Sequence, residues 1–142
     1  MRNEKMNTLD GLAGDYEVTL SDAWFLEPAG TEVKGTAVFE WQGEGLLVLR
    51  LYLNDGEMTF VFGRSDARDE YSTLYHDERG VCRVFATTFD GETLEMRRED
   101  PDFFQTITLV VAGPDRLDGR TDMSEDKGAN WRKDFDLTFE RV

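Results

Sequence analysis

Apolar and polar side chains alternate along most of this chain. Val33, Ala37, Phe39 and Trp41 fall on one parity and Glu32, Lys34, Thr36 and Glu40 on the other, which is the period-two pattern of a strand with one buried face. The same alternation predicts about ten strands, over residues 15–25, 31–42, 46–54, 57–64, 70–77, 81–90, 92–99, 103–112, 116–124 and 131–141. Turn signals separate them at short intervals, among them Glu27-Pro28-Ala29-Gly30, Gly43-Glu44-Gly45, Ala112-Gly113-Pro114-Asp115 and Asp126-Lys127-Gly128. Asp55-Gly56 and Asp90-Gly91 predict tight hairpins, because two-residue hairpin turns need positive φ and Asp-Gly supplies it at low cost. Only Asn7 to Leu12 reads as helical, a single turn capped by Asn7 or Thr8.

No helical segment of about 10–15 residues separates the strands, so parallel βαβ units are excluded and an antiparallel meander follows. A meander of this length can split into a sandwich or close into a barrel. Closure leaves no unpaired edge, and the hairpin-short connections suit up-and-down neighbours. The predicted fold is all-β: a single up-and-down antiparallel barrel spanning residues 1–142, with residues 1–7 as a flexible N-terminal segment. Inward side chains that exceed what the middle can pack would line a cavity.

Composition narrows the function classes. The chain has 142 residues, 39% hydrophobic and 12% aromatic, enough apolar side chain for one core. Thirty acidic against sixteen basic residues leave a net charge of −14, which repels phosphate backbones and anionic lipid. Nucleic acid and membrane are therefore not expected as partners. The first ten residues carry Arg2 and Lys5 with no apolar run behind them, and the uncharged stretch Phe103 to Pro114 is too short to span a bilayer as a helix. One Cys excludes an internal disulfide framework. A cytoplasmic location and a monomer or homodimer are the expectations.

A family resemblance rests on particular residues. Gly14-Asp15-Tyr16, after a short helical turn, is similar to the glycine-x-aromatic start of calycin barrels (lipocalins and fatty-acid-binding proteins), in which the preceding turn plugs one end. In those families a closing arginine stacks over the aromatic; Arg132 or Arg141 would take that part here. Tyr75 to Val84, Pro101 to Gln105 and Asn130 to Phe139 resemble small bacterial lipocalin-like proteins related to the uncharacterised DUF1579 domain. That resemblance implies a barrel and brings no catalytic residues with it. The Gly-rich first-strand motif of haem-binding nitrobindin-like barrels is absent, since Glu17, Val18 and Thr19 follow Tyr16, and the residues between Phe25 and Thr31 are too few for a helical lid.

Candidate chemistry comes from polar residues on apolar faces. No phosphate loop, nucleophile elbow or Cys-x-x-Cys pair occurs, and one His with one Cys makes a protein-only zinc site improbable. No metal or cofactor is expected; Asp122, Ser124 and Asp126 read as a solvated turn rather than a Ca²⁺ site. Arg83 shares a strand face with Val81, Phe85 and Phe89, Arg98 with Leu94 and Met96, and Gln105 with Phe103, Ile107 and Leu109. A buried polar group without a partner costs about 1–3 kcal/mol, so these three need a reason. Either they converge as an anion site, for which guanidinium is well shaped, or the arginines bury only their stems or pair with acidic neighbours. Tyr71 and Tyr75 share a face, with His76 on the other. His76 is the one side chain ordinarily titrating near neutrality, and a rim surface residue is its plainer reading. Trp41, Tyr52 and Trp131 could stack on a flat ligand at a barrel mouth or pack in the core. Cys82 reads as a buried, inert thiol.

The leading expectation is a barrel that holds a small apolar or amphipathic molecule with an anionic or polar head. Arg83, Arg98, Gln105 and Tyr75 would fix the head group, and Phe39, Phe60, Phe62, Phe85, Ile107 and Phe135 would hold the body, with Tyr71, Trp41, Tyr52 and Trp131 as further contacts. A second reading is a cofactor-free isomerase or cyclase in the same cavity, using His76 or Tyr75. A third is a filled barrel that acts as a protein-interaction module.

Overall fold

A computed structural model describes residues 1–142. Ten strands run β1 (Gly14–Ser21), β2 (Val33–Gln42), β3 (Leu46–Leu53), β4 (Gly56–Arg64), β5 (Tyr71–Asp77), β6 (Cys82–Phe89), β7 (Thr93–Glu99), β8 (Phe104–Val111), β9 (Arg116–Ser124) and β10 (Arg132–Arg141). Each pairs antiparallel with its sequence neighbours, and β1 pairs with β10, so the sheet closes into a barrel. No helix is long and apolar enough to cross a membrane.

Most strand ends fall within one or two residues of the alternation pattern, and two differences have a cause in the backbone. The first strand stops at Ser21 because Asp22 takes a left-handed conformation, φ 49°, which turns the chain out of the ladder; Trp24 and Phe25 then belong to the 22–32 loop and not to a strand. At the β3–β4 hairpin the positive-φ positions are Asn54 and Asp55 (52° and 61°), while Gly56 already pairs with Leu53. The tight turn lies one residue earlier than Asp55-Gly56. At the β6–β7 hairpin, Asp90 Oδ1 accepts from the backbone N–H groups of Glu92 and Thr93 at 2.9 and 2.7 Å, with Gly91 at positive φ.

The N-terminus closes one end. Helix α1 (Glu4–Asn7) is capped by Asn3, whose side chain accepts from Lys5 N–H, and a 3₁₀ turn follows at Asp10–Leu12. The helical segment is thus broken and begins earlier than Asn7, with Asn3 as its cap in place of Asn7 or Thr8. Met6, Leu9 and Leu12, three residues apart, are buried within the core cluster, a spacing that puts them on one side of the turns. Residues 1–7, expected to be flexible, therefore contribute Met6 to the core. Three aromatic side chains tie this plug down: Tyr16 Oη donates to Leu12 O (2.8 Å), Tyr71 Oη to Lys5 O (2.7 Å) and Trp41 Nε1 to Asp10 Oδ1 (2.8 Å).

The plug is locked where the first and last strands meet. Arg141 lies 4.9 Å over the Tyr16 ring, and its Nη1 and Nη2 donate to Ala13 O and Gly11 O at 2.6 and 3.0 Å. Gly14, at φ +147°, makes the room, since a Cβ there would sit 2.3 Å from Arg141 Nη1. Of the two candidate arginines Arg141 takes this position; Arg132 lies over Trp24 instead, at 4.7 Å. Tyr16, Phe39 and Phe139 pack beneath at centroid distances of 5.8–6.3 Å, with Phe62 against Phe39. Gly14→Ala should lower stability by about 2 kcal/mol, through a strained backbone and a displaced guanidinium. Urea unfolding followed by tryptophan fluorescence tests this, and an unchanged midpoint would show that the fold does not lean on the lock.

Candidate functional site

With the plug at one end, the other end is the mouth, ringed by the 22–32 loop, the β3–β4 and β5–β6 turns, the Asp100–Phe103 turn and the 125–131 loop. Twenty-four buried residues form one cluster through the barrel. The larger clefts, about 430–730 Å³, lie on the outer surface: the largest sits against α1, and another lies beneath the Trp24 loop. Phe39, Phe62 and Phe85 are part of the filled interior. The residues with chemistry gather at the mouth, above the packed layer.

The strand register brings them together. Tyr75 is opposite Arg83 across β5–β6 and opposite Phe60 across β4–β5; Arg98 is opposite Gln105 across β7–β8. Alternation puts Arg83, Arg98 and Gln105 on the apolar faces of their strands, and in the structure those faces are the inward ones. Between these two groups the wall is weakest. β6 and β7 pair at only four positions, Ala86↔Arg97 to Phe89↔Leu94, so Arg83 and Arg98 flank a stretch where the ladder has parted.

Arg98 is held by the turn that follows its own strand. Its Nη1 donates to Phe103 O at 3.1 Å and its Nη2 to Asp102 at 3.2 Å. Its Nε lies 2.8 Å from Asp100 Oδ2, close enough for charge attraction but out of line for a hydrogen bond. The guanidinium also sits 4.5 Å over the Phe103 ring. Its work is to fold the Asp100–Phe103 turn over the rim. Arg83 differs: it has no ion pair, and it is held only by ring faces, 5.5 Å over Tyr75 and 5.1 Å over Phe103. Arg64 and Lys127 are also unpaired, but both are exposed, whereas Arg83 is half-buried.

The reason lies in the sequence. Residues two apart share a strand face, and Arg97, Arg116 and Arg120 take their acids there, from Glu95, Asp118 and Asp122. The positions two away from Arg83 are Val81 and Phe85, so no carboxylate reaches it along its own strand. Arg98 has Asp100 two residues on. This spacing separates the two arginines, and inward parity alone does not.

Gln105 is 7% exposed and its Oε1 is buried with no hydrogen-bond partner. Tyr75 is occupied: its Oη donates to Asp77 Oδ2 at 2.5 Å, and Arg79 holds the same carboxylate through Nε and Nη2. Burial, reinforced by Asp77, pushes the phenol up to about 12.

The other candidates lie elsewhere. His76 faces outward and is exposed, as its alternation with Tyr75 requires. Tyr52 projects outward from β3, 41% exposed, and Trp131 stands in the 125–131 loop, 46% exposed. Trp41 and Tyr71 hold the plug at the opposite end from Arg83, because alternation fixes a residue's face but not its height in a tilted barrel. Cys82 is exposed, not buried, since it precedes Arg83 on the outward parity. The aromatics that sequence reasoning passed over are Phe103, whose ring faces both arginines, and Phe25, which packs on Phe135 at 6.0 Å. Asp126 accepts from Ser124 Oγ and from Asn130, which makes its loop a self-bonded turn.

No known family's sequence pattern matches the chain, and no curated protein matches it. Among solved structures, the crystal structure of Rv2717c from M. tuberculosis is similar, with a TM-score of 0.67 and 12% identity over 100% of this chain and 99% of that one. At that identity the likeness shows the fold. A redesigned β-barrel, b11L5F_LGL, aligns at TM-score 0.47 and 14% identity over 95% of both chains.

The rim triad has a pH signature. Hydrogen bonds from Arg79, then from Tyr75, hold the Asp77 carboxyl well below the ordinary carboxylate range. The folded state therefore gives up this proton more readily than the unfolded chain, and the stability it adds is full above the unfolded value of 3.8 and lost as pH falls toward the folded one. Asp77→Asn should be less stable than wild type by about 1 kcal/mol at pH 7, with the gap closing below about pH 4. Urea titrations at pH 7 and pH 3 make the comparison; equal gaps at both would remove the charged pair from the account.

Proposed function

We propose that this barrel binds a small amphipathic molecule at its mouth, with an anionic head group on Arg83 and an apolar body over Phe60, Phe103 and Phe135. The observation that carries the reading is Arg83 itself, a half-buried cation with no carboxylate partner in a protein of net charge −14. Ring faces attract a cation but leave its N–H groups free for an anion. Arg98 acts behind it as the residue that positions the Asp100–Phe103 turn. On this reading the chain is a calycin-type barrel of the lipocalin-like, DUF1579-related kind, with its ligand held at the rim above a filled interior.

Binding in place of turnover is favoured by what surrounds Tyr75 and His76. The phenol is committed to Asp77 and titrates far above neutrality, and the imidazole faces solvent, so neither offers the mouth a proton exchanger near pH 7.

Decanoate is a suitable probe, since it combines a carboxylate with an apolar tail. Wild-type protein should bind it, and Arg83→Met should weaken that binding about tenfold, the scale of one hydrogen bond to a charged group, without lowering the unfolding midpoint. Isothermal titration calorimetry at low salt reads both. Decanoate affinity that is absent in the wild type, or identical in the two proteins, would falsify the site.

A further inference from the structure

The head group that fits this mouth must do more than carry a negative charge. Gln105 lies on the inward face of β8, between Arg98 on β7 and Met123 on β9, with Ile107 next on its own face. More than nine-tenths of the residue is buried, and its Oε1 has no donor from the protein. Its cross-strand neighbour Arg98 does not donate to it: Nη1 goes to Phe103 O, Nη2 to Asp102, and Nε lies against Asp100. A buried carbonyl oxygen in such surroundings is costly unless something brings it an N–H or O–H.

Arg83 and Gln105 are bridged by shared neighbours. Both guanidiniums rest on the ring of Phe103, Arg83 at 5.1 Å and Arg98 at 4.5 Å, and Arg98 is the cross-strand partner of Gln105. One side of the mouth thus carries a cation with free donors, and the other carries an unpaired amide acceptor that is shut off from solvent until a ligand displaces what covers it. We propose that the ligand class is an acid with a hydrogen-bond donor beside its carboxylate, such as a 2-hydroxy acid with an apolar tail: the carboxylate takes Arg83 and the hydroxyl donates to Gln105 Oε1. This rests on the anion site proposed above and narrows it. A plain fatty acid would satisfy Arg83 and leave Gln105 buried and unpaired.

The test compares 2-hydroxydecanoate with decanoate by calorimetry, on wild type and on Gln105→Met, an apolar side chain of similar length. Wild type should prefer the hydroxy acid by about tenfold, the scale of satisfying one buried acceptor. Gln105→Met should lose that preference by weakening for the hydroxy acid while holding or gaining affinity for decanoate. A merely structural role for Gln105 would move both acids together. Equal affinities in the wild type overturn the donor requirement and leave the anion site standing, and this comparison needs no variant to fold. If neither acid binds, both proposals fall; if the preference survives in Gln105→Met, the donor is read by another residue and the assignment to Gln105 falls.

Discussion

The guanidinium of Arg141, held between the Tyr16 ring and the carbonyls of Gly11 and Ala13, is the contact on which the rest depends. It joins the last strand to the first at the point where the chain turns from plug into wall. A meander is a closed barrel only while its terminal strands stay paired, and β1 must serve β2 and β10 at once. The arginine secures that double pairing from the end, and Gly14 is the space it occupies. The Tyr16 phenol, donating to Leu12 O, carries the constraint on to the buried Met6, Leu9 and Leu12. Shutting this end with apolar side chains and aromatic donors leaves the polar inward residues at the other. The mouth is a consequence of the lock.

Much of this architecture was legible in the alternation of side chains. Ten strands, antiparallel neighbours and the inward parity of Tyr75, Arg83, Arg98 and Gln105 follow from a period of two, because a strand has only two faces. Height in the barrel does not follow from it. Trp41 and Tyr71 have the right parity for a ligand site, yet they hydrogen-bond to the plug, since strand tilt carries adjacent residues to different levels. Tyr52 and Trp131 were read from size and position near strand ends, and both are exposed. Alternation predicts the turn at Glu27 to Gly30 but carries the first strand on to residue 25, because Trp24 and Phe25 continue the apolar count while the decision lies in the backbone at Asp22.

The parted ladder between β6 and β7 gives the mouth a side as well as a top. Cys82 and Val84 stand exposed on the outer face of β6 there, and across the gap Arg98 is drawn away from β6 by Phe103 O and Asp102. The same two hydrogen-bonding partners that engage Arg98 therefore also hold the wall apart beside Arg83. Pairing is lost where the chain spends its polar groups on the Asp100–Phe103 turn, and Pro101 within that turn has no N–H to return to a ladder.

Charge in this protein is distributed by a local rule. A cation on a strand finds its acid two residues along, on the same face, as Arg97, Arg116 and Arg120 do, and such pairs on the surface add little to stability. They cancel charge before it can act at a distance. Arg83 escapes cancellation because its same-face neighbours are apolar, and Gln105 escapes pairing because the arginine beside it turns toward Phe103 O and the acids of its own turn. An acidic surface with locally quenched cations would by itself discourage anions from approaching. It also means that an anion reaching the mouth meets one cation with free donors, on aromatic faces, in a partly desolvated place where a charge-assisted hydrogen bond is at its strongest. Net charge describes the outside of this barrel, and the two residues left unpaired describe its mouth.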